Sequence, residues 1–100
     1  MKRFMVRYTV RPERVEENVH LIGAVFRELE REEPDDVRYA VFCLEDGVSF
    51  MHLVALDGDD DALRRLPAFQ AFLSGIKDRC MTLPETTRLQ VLEEYRVLGA

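Results

Sequence analysis

His52 is the side chain of this sequence best suited to moving a proton, because an imidazole titrates near neutrality and can both give and take one. It lies within Ser49-Phe50-Met51-His52-Leu53-Val54-Ala55-Leu56, a β-rich run whose alternation puts Phe50 and Val54 on its own side. The facing run, Val37 to Cys43, brings Val41 opposite His52 and makes Tyr39 and Cys43 its diagonal neighbours. An imidazole in such apolar surroundings could move a proton within an otherwise apolar pocket. Arg7 is expected on the same side of a neighbouring strand, where its guanidinium could hold an anionic oxygen. Tyr39 and Phe50 would form the floor of that site, and Phe69 and Phe72 its wall. In a plainer alternative His52 hydrogen-bonds across an interface between two copies and Arg7 pairs with a carboxylate.

Other patterns carry less. Glu16 and His20 form a helical i, i+4 pair, but no third ligand is visible for a metal. Asp57, Asp59 and Asp61 have the spacing of the first ligands of a calcium loop. Ala62 stands where the turn glycine belongs, however, and Ala68 where the bidentate glutamate belongs, so a polar loop is expected. Glu93 and Glu94 point to opposite faces of a strand. A phosphate-cradling glycine loop, a nucleophile elbow and a zinc cluster are all missing, so neither metal nor cofactor is expected.

The elements that must position His52 begin with Asp46-Gly47, a strong hairpin signal. A two-residue turn there, with positive φ at both residues, pairs Cys43 with Phe50, Val41 with His52 and Tyr39 with Val54. Both sides of the hairpin are then apolar. One bears Ala40, Phe42, Leu44, Met51, Leu53 and Ala55; the other bears Val37, Tyr39, Val41, Cys43, Phe50, His52, Val54 and Leu56. The small alanines suggest that the first side meets the protein's own helices. The second is then left for a partner or a ligand.

Arg3 to Val10 alternates as a first strand, with Phe4, Val6, Tyr8 and Val10 on one side. Pro12 opens a helix whose stripe is Val15, Val19, Ile22, Phe26 and Leu29, and Pro34 stops it. Pro67 opens a second helix with Phe69, Phe72, Leu73, Ile76 and Cys80 as its apolar stripe and Lys77 and Arg79 in its last turn, where positive charge suits the helix dipole. Met81 to Thr87, with Pro84, is expected as a connector, and Arg88 to Leu98 as a final edge strand. The order β-α-β-β-α-β predicts an α+β, ferredoxin-like fold for residues 1–100: a four-stranded antiparallel sheet with both helices on one face. The bare face is expected to dimerise with a second copy.

Composition sets outer limits. The 100 residues make one domain of ordinary hydrophobic (47%) and charged (33%) content. A net charge of −5 argues against nucleic acid and anionic membrane as partners. Cys43 and Cys80, far apart and without a signal segment, suit free thiols in a cytoplasmic protein.

The opening strand MVRYTV before Pro12, the segment VRYAVFCLEDGVSFMHLVAL and the segment LPAFQAFLSGIKDRC together resemble the dimeric α/β-barrel superfamily, in its antibiotic-biosynthesis-monooxygenase branch. The resemblance spans nearly the whole chain in patterning and includes no catalytic motif. It implies a homodimer whose sheets face each other as a barrel, with a small ligand held inside it or between sheet and helices. It further implies cofactor-independent oxygenation of an aromatic substrate, or a non-catalytic binding module. Haem-degrading relatives resemble one another in an asparagine, tryptophan and histidine set. This chain has no tryptophan, and its second helix has no histidine.

Overall fold

The computed structural model describes residues 1–58 and 62–97. Asp59 and Asp61 of the aspartate-rich loop, and Leu98 of the expected final strand, lie outside the described residues.

Strand β1 (Lys2–Val10) leads through a 3₁₀ turn (Pro12–Arg14) into helix α1 (Val15–Glu32). The hairpin β2 (Val37–Cys43) and β3 (Ser49–Leu56) follows, then helices α2 (Pro67–Ser74) and α3 (Ile76–Arg79) and strand β4 (Cys80–Leu89). The sheet order is β2-β3-β1-β4, with antiparallel pairing throughout. This is the expected ferredoxin-like α+β arrangement.

The hairpin register is the expected one, from Val37 opposite Leu56 to Cys43 opposite Phe50. The turn is wider than expected. Only Gly47 has positive φ (78°), and its amide bonds back to the Leu44 carbonyl. The Asp46 carboxylate instead accepts from the Val48 and Ser49 amides and the Ser49 hydroxyl. These bonds, the Ser49 hydroxyl first, stabilise the carboxylate and hold its pKa below the usual carboxylate range. A side-chain cap has replaced the second left-handed residue.

The face assignment is corrected. Across β1 and β3, Val6 pairs with His52 and Tyr8 with Phe50, so all four share one side. That side carries the core: Tyr8, Val10, Phe50 and Leu56 pack with Val25 of α1 and Phe72 of α2. The helices therefore cover the Tyr39/His52 side. Met5, Ala40, Phe42, Met51, Leu53 and Ala55 lie on the other and join neither the core nor its packed shell. Aromatic bulk outweighed the alanine argument. Phe26 of α1 stacks on Tyr39 at 5.0 Å between centroids, and Phe72 lies 5.5 Å from the His52 ring.

Two further expectations shift. The buried line of α1 passes through Asn18 rather than Val19, which is 52% exposed. The last strand begins at Cys80, so the expected connector is strand and Gln90–Val97 lies beyond it. Pro84 is tolerated because β4 is an edge strand and the β1–β4 register slips between Arg7 and Thr9, where one extra residue of β4 is accommodated.

Candidate functional site

The structure brings His52, Tyr39, Phe50, Phe69 and Phe72 together beneath the helices and puts Arg7 elsewhere. Arg7 pairs with Met51 on one side and Glu85 on the other, on the open face of the sheet, and is exposed. It therefore does not share a side with His52, as the sequence had suggested. Glu16 and His20 are exposed on α1, and no cluster that could hold a metal occurs among the described residues.

His52 is 4% exposed, and both ring nitrogens are bonded. Nε2 lies 2.7 Å from the Tyr8 hydroxyl and Nδ1 2.6 Å from the Tyr39 hydroxyl. Behind Tyr8 the bonding continues through residues that sequence reading had not singled out. Asn18 Nδ2 donates to the Tyr8 oxygen at 3.0 Å, and Arg79 Nε donates to Asn18 Oδ1 at 3.0 Å. Arg79, 1% exposed, also donates to the Phe72 carbonyl at 2.7 Å, and its guanidinium carbon lies 5.1 Å from the Phe72 ring centre. Arg79 was expected only as a favourable charge in the last turn of the second helix. Gly75, between α2 and α3, makes the room: a Cβ there would come within 3.1 Å of the guanidinium.

Counting donors fixes the direction of this chain. Arginine only donates, so Asn18 turns its oxygen to Arg79 and its amide nitrogen to Tyr8. The Tyr8 oxygen thus already accepts a bond, and its one hydrogen goes to Nε2 of His52. Nδ1 then carries the ring proton and donates to Tyr39. The opposite tautomer would aim two donors at Tyr8 and strand its hydrogen in the core, at a cost of about 1–3 kcal/mol. Donation therefore runs one way, from Arg79 through Asn18, Tyr8 and His52 to Tyr39.

The electrostatics agree. Burial lowers His52 from its ordinary 6.5 to about 4, so the ring is neutral at pH 7. Burial pushes both tyrosines well above their ordinary 10.0. Burial also lowers Arg79, against the pull of Glu17, but a guanidinium remains charged.

His52 is not in the wall of any of three hollows of about 310, 260 and 210 Å³, and Phe50 and Phe72 are each 2% exposed. The hollow of about 310 Å³ lies between the sheet and α2, beside the His52 cluster. Phe4, Val6, Val54, Leu63 and Phe69 form its apolar wall; Lys2, Arg64 and Thr86 are its polar members. Val6 is the residue paired with His52, so one strand width separates the imidazole from the cleft. A second groove, about 260 Å³, runs between the end of α1 and β2, with Tyr39 in its wall.

No family model and no curated protein sequence matches this chain. Its structure is similar to several solved ones. An antibiotic biosynthesis monooxygenase superposes with a TM-score of 0.71 at 14% identity, covering 93% of this chain and 100% of the other. A Mycobacterium tuberculosis protein gives 0.74 at 18% identity, over 93% and 96% of the two chains. SnoaB, a cofactor-independent oxygenase from Streptomyces nogalater, gives 0.66 at 20% identity, over 93% and 94%. The fold is thus that of the antibiotic-biosynthesis-monooxygenase structures, as the sequence resemblance implied.

Proposed function

We propose that the protein is a homodimeric, cofactor-independent oxygenase that takes a small aromatic phenol into the cleft between sheet and α2. The observation that carries this is the cleft itself: an aromatic and aliphatic wall, with Lys2 and Arg64 able to favour a phenolate over the neutral phenol. A phenolate is the electron-rich form that reacts with oxygen. The shared fold with an oxygenase supports the same reading.

Phe69 is assigned the substrate contact. His52 is assigned a positioning role through Tyr8 and Tyr39, with Phe50 and Phe72 holding its ring. Arg7 goes to the open sheet face. Free Cys43 and Cys80, and the lack of any membrane-crossing helix among the described residues, fit a cytoplasmic setting.

Oxygen uptake with a panel of dihydroxynaphthalenes and anthrones tests the activity. Uptake without added metal or flavin is expected. Phe69→Ala should weaken binding of the active compound about tenfold, the worth of one good aromatic contact. Unchanged binding would remove Phe69 from the site. A second reading, a non-catalytic binding module, is favoured by one observation: tyrosine hydroxyls cap both nitrogens of His52. Compounds that bind the cleft yet never consume oxygen would establish it.

The dimer rests on the open face. Met5, Phe42, Met51 and Leu53 form an apolar surface that no described helix covers, and a second copy would bury it. Light scattering should give twice the chain mass of 11.7 kDa, and Leu53→Glu should give the chain mass alone. A folded wild-type monomer at micromolar concentration would exclude this assembly.

A further inference from the structure

We infer that the groove between the end of α1 and β2 is a second binding site, for a small neutral aromatic molecule bearing one hydrogen-bond acceptor, anchored by the Tyr39 hydroxyl. This goes beyond the oxygenase reading, since it concerns a different hollow. The argument starts from the direction of donation. Because Nδ1 of His52 donates to Tyr39, the phenol oxygen is already an acceptor and its own hydrogen remains to be placed. No acceptor for that hydrogen occurs among the described residues. Two members of the chain from Arg79 to Tyr39 line hollows, Tyr8 and Tyr39, but the Tyr8 hydrogen is already committed to His52, so only Tyr39 has a hydrogen to offer. The last donor of a buried network thus stands in the wall of a space of about 260 Å³.

The rest of that wall sets the ligand class. Phe26, stacked on the Tyr39 ring at an interplanar angle of 12°, joins Leu29, Pro34 and Val37 as an apolar lining. A flat apolar ring fits such a surface. Glu30 and Glu33 also belong to the groove, which lies at the negative end of the α1 dipole, so an anion is disfavoured. Glu30 is engaged by Arg27 at 3.1 Å and so is less available to an ammonium group. A neutral ketone or quinone oxygen is what the Tyr39 hydrogen would select.

The test uses the whole protein and two isosteric probes, acetophenone and isopropenylbenzene, which differ in the carbonyl oxygen. Protein NMR should show acetophenone shifting Phe26, Val37 and Tyr39, with affinity at least tenfold above that of isopropenylbenzene. Tyr39→Phe, which keeps the stacked ring, should erase the difference. Benzoate should bind there more weakly than acetophenone. Equal binding of the two probes, retention of the preference in Tyr39→Phe, or shifts confined to Phe4 and Phe69 would each overturn the proposal. A ¹⁵N measurement on His52 tests its premise separately: protonated Nδ1 and bare Nε2 are expected. The reverse tautomer would place the spare hydrogen on Tyr8 and overturn it. None of these readouts depends on oxygen consumption, so failure here leaves the oxygenase reading standing, and the converse holds.

Discussion

Asn18→Leu should unfold about 3 kcal/mol more easily than the wild type. Leucine keeps the branching of asparagine at Cγ and is the larger side chain, so no cavity forms and the loss comes from unmade hydrogen bonds with some crowding. The buried Arg79 Nε loses its acceptor, while the cation stays 1% exposed. The Tyr8 oxygen loses its donor in the same step. A bond to a charged group contributes about 1.5–3 kcal/mol, and an orphaned buried charge costs more than an orphaned neutral group. For a chain of this size the melting temperature should fall by roughly 12–24 °C. Adding Arg79→Met should recover part of that loss, because the pair is coupled and removing the stranded cation relieves the penalty. A loss below about 1 kcal/mol in Asn18→Leu would show that solvent or another group satisfies Arg79.

Acid should destabilise the protein over a window set by His52. Its ordinary value is 6.5 and burial lowers it to about 4 in the fold. Above pH 6.5 the ring is neutral folded or unfolded, so the stabilisation is whole. As pH falls below 6.5 the unfolded chain takes up a proton that the folded chain refuses, and stability is lost until pH reaches about 4. At about 1.4 kcal/mol per pH unit, the integrated loss is about 3 kcal/mol. The ring sees Tyr8, Tyr39 and Phe72, and among the described residues no carboxylate bonds to it to hold the charged form. Urea unfolding at intervals between pH 7 and pH 4 measures the slope. His52→Phe should be less stable at pH 7 but should lose this part of the acid dependence. An equal slope in the variant would assign the loss to the surface carboxylates instead.

Element order, hairpin register and fold were legible because each rests on a local period or a turn signal. Cys43 opposite Phe50 follows from Asp46-Gly47 alone. The covered face was not legible. Period two states that His52 and Tyr39 share a side, but which side meets helices depends on pairing with β1, across a long crossover. Val6 opposite His52 settles it, and that pairing joins residues 46 positions apart. The strand over Cys80–Leu89 was missed because Pro84 marks a break by local rules and is harmless only at an edge beside a bulge. Asn18 lay off the apolar stripe read for α1 and so was not singled out, and Arg79 was explained by the helix dipole alone.

By itself, the sequence determined the kinds of element, their order and the α+β architecture, because helical and strand periods and turn residues act over a few positions. It also named most of the aromatic cluster around His52, since those residues alternate on short runs. Only the tertiary structure decided which sheet face the helices cover, and that Arg7 stands apart from His52. It alone joined Arg79, Asn18, Tyr8, His52 and Tyr39 into a chain of donors. Those choices turn on contacts between distant segments, where a buried polar group must find its partner in another element or be stranded.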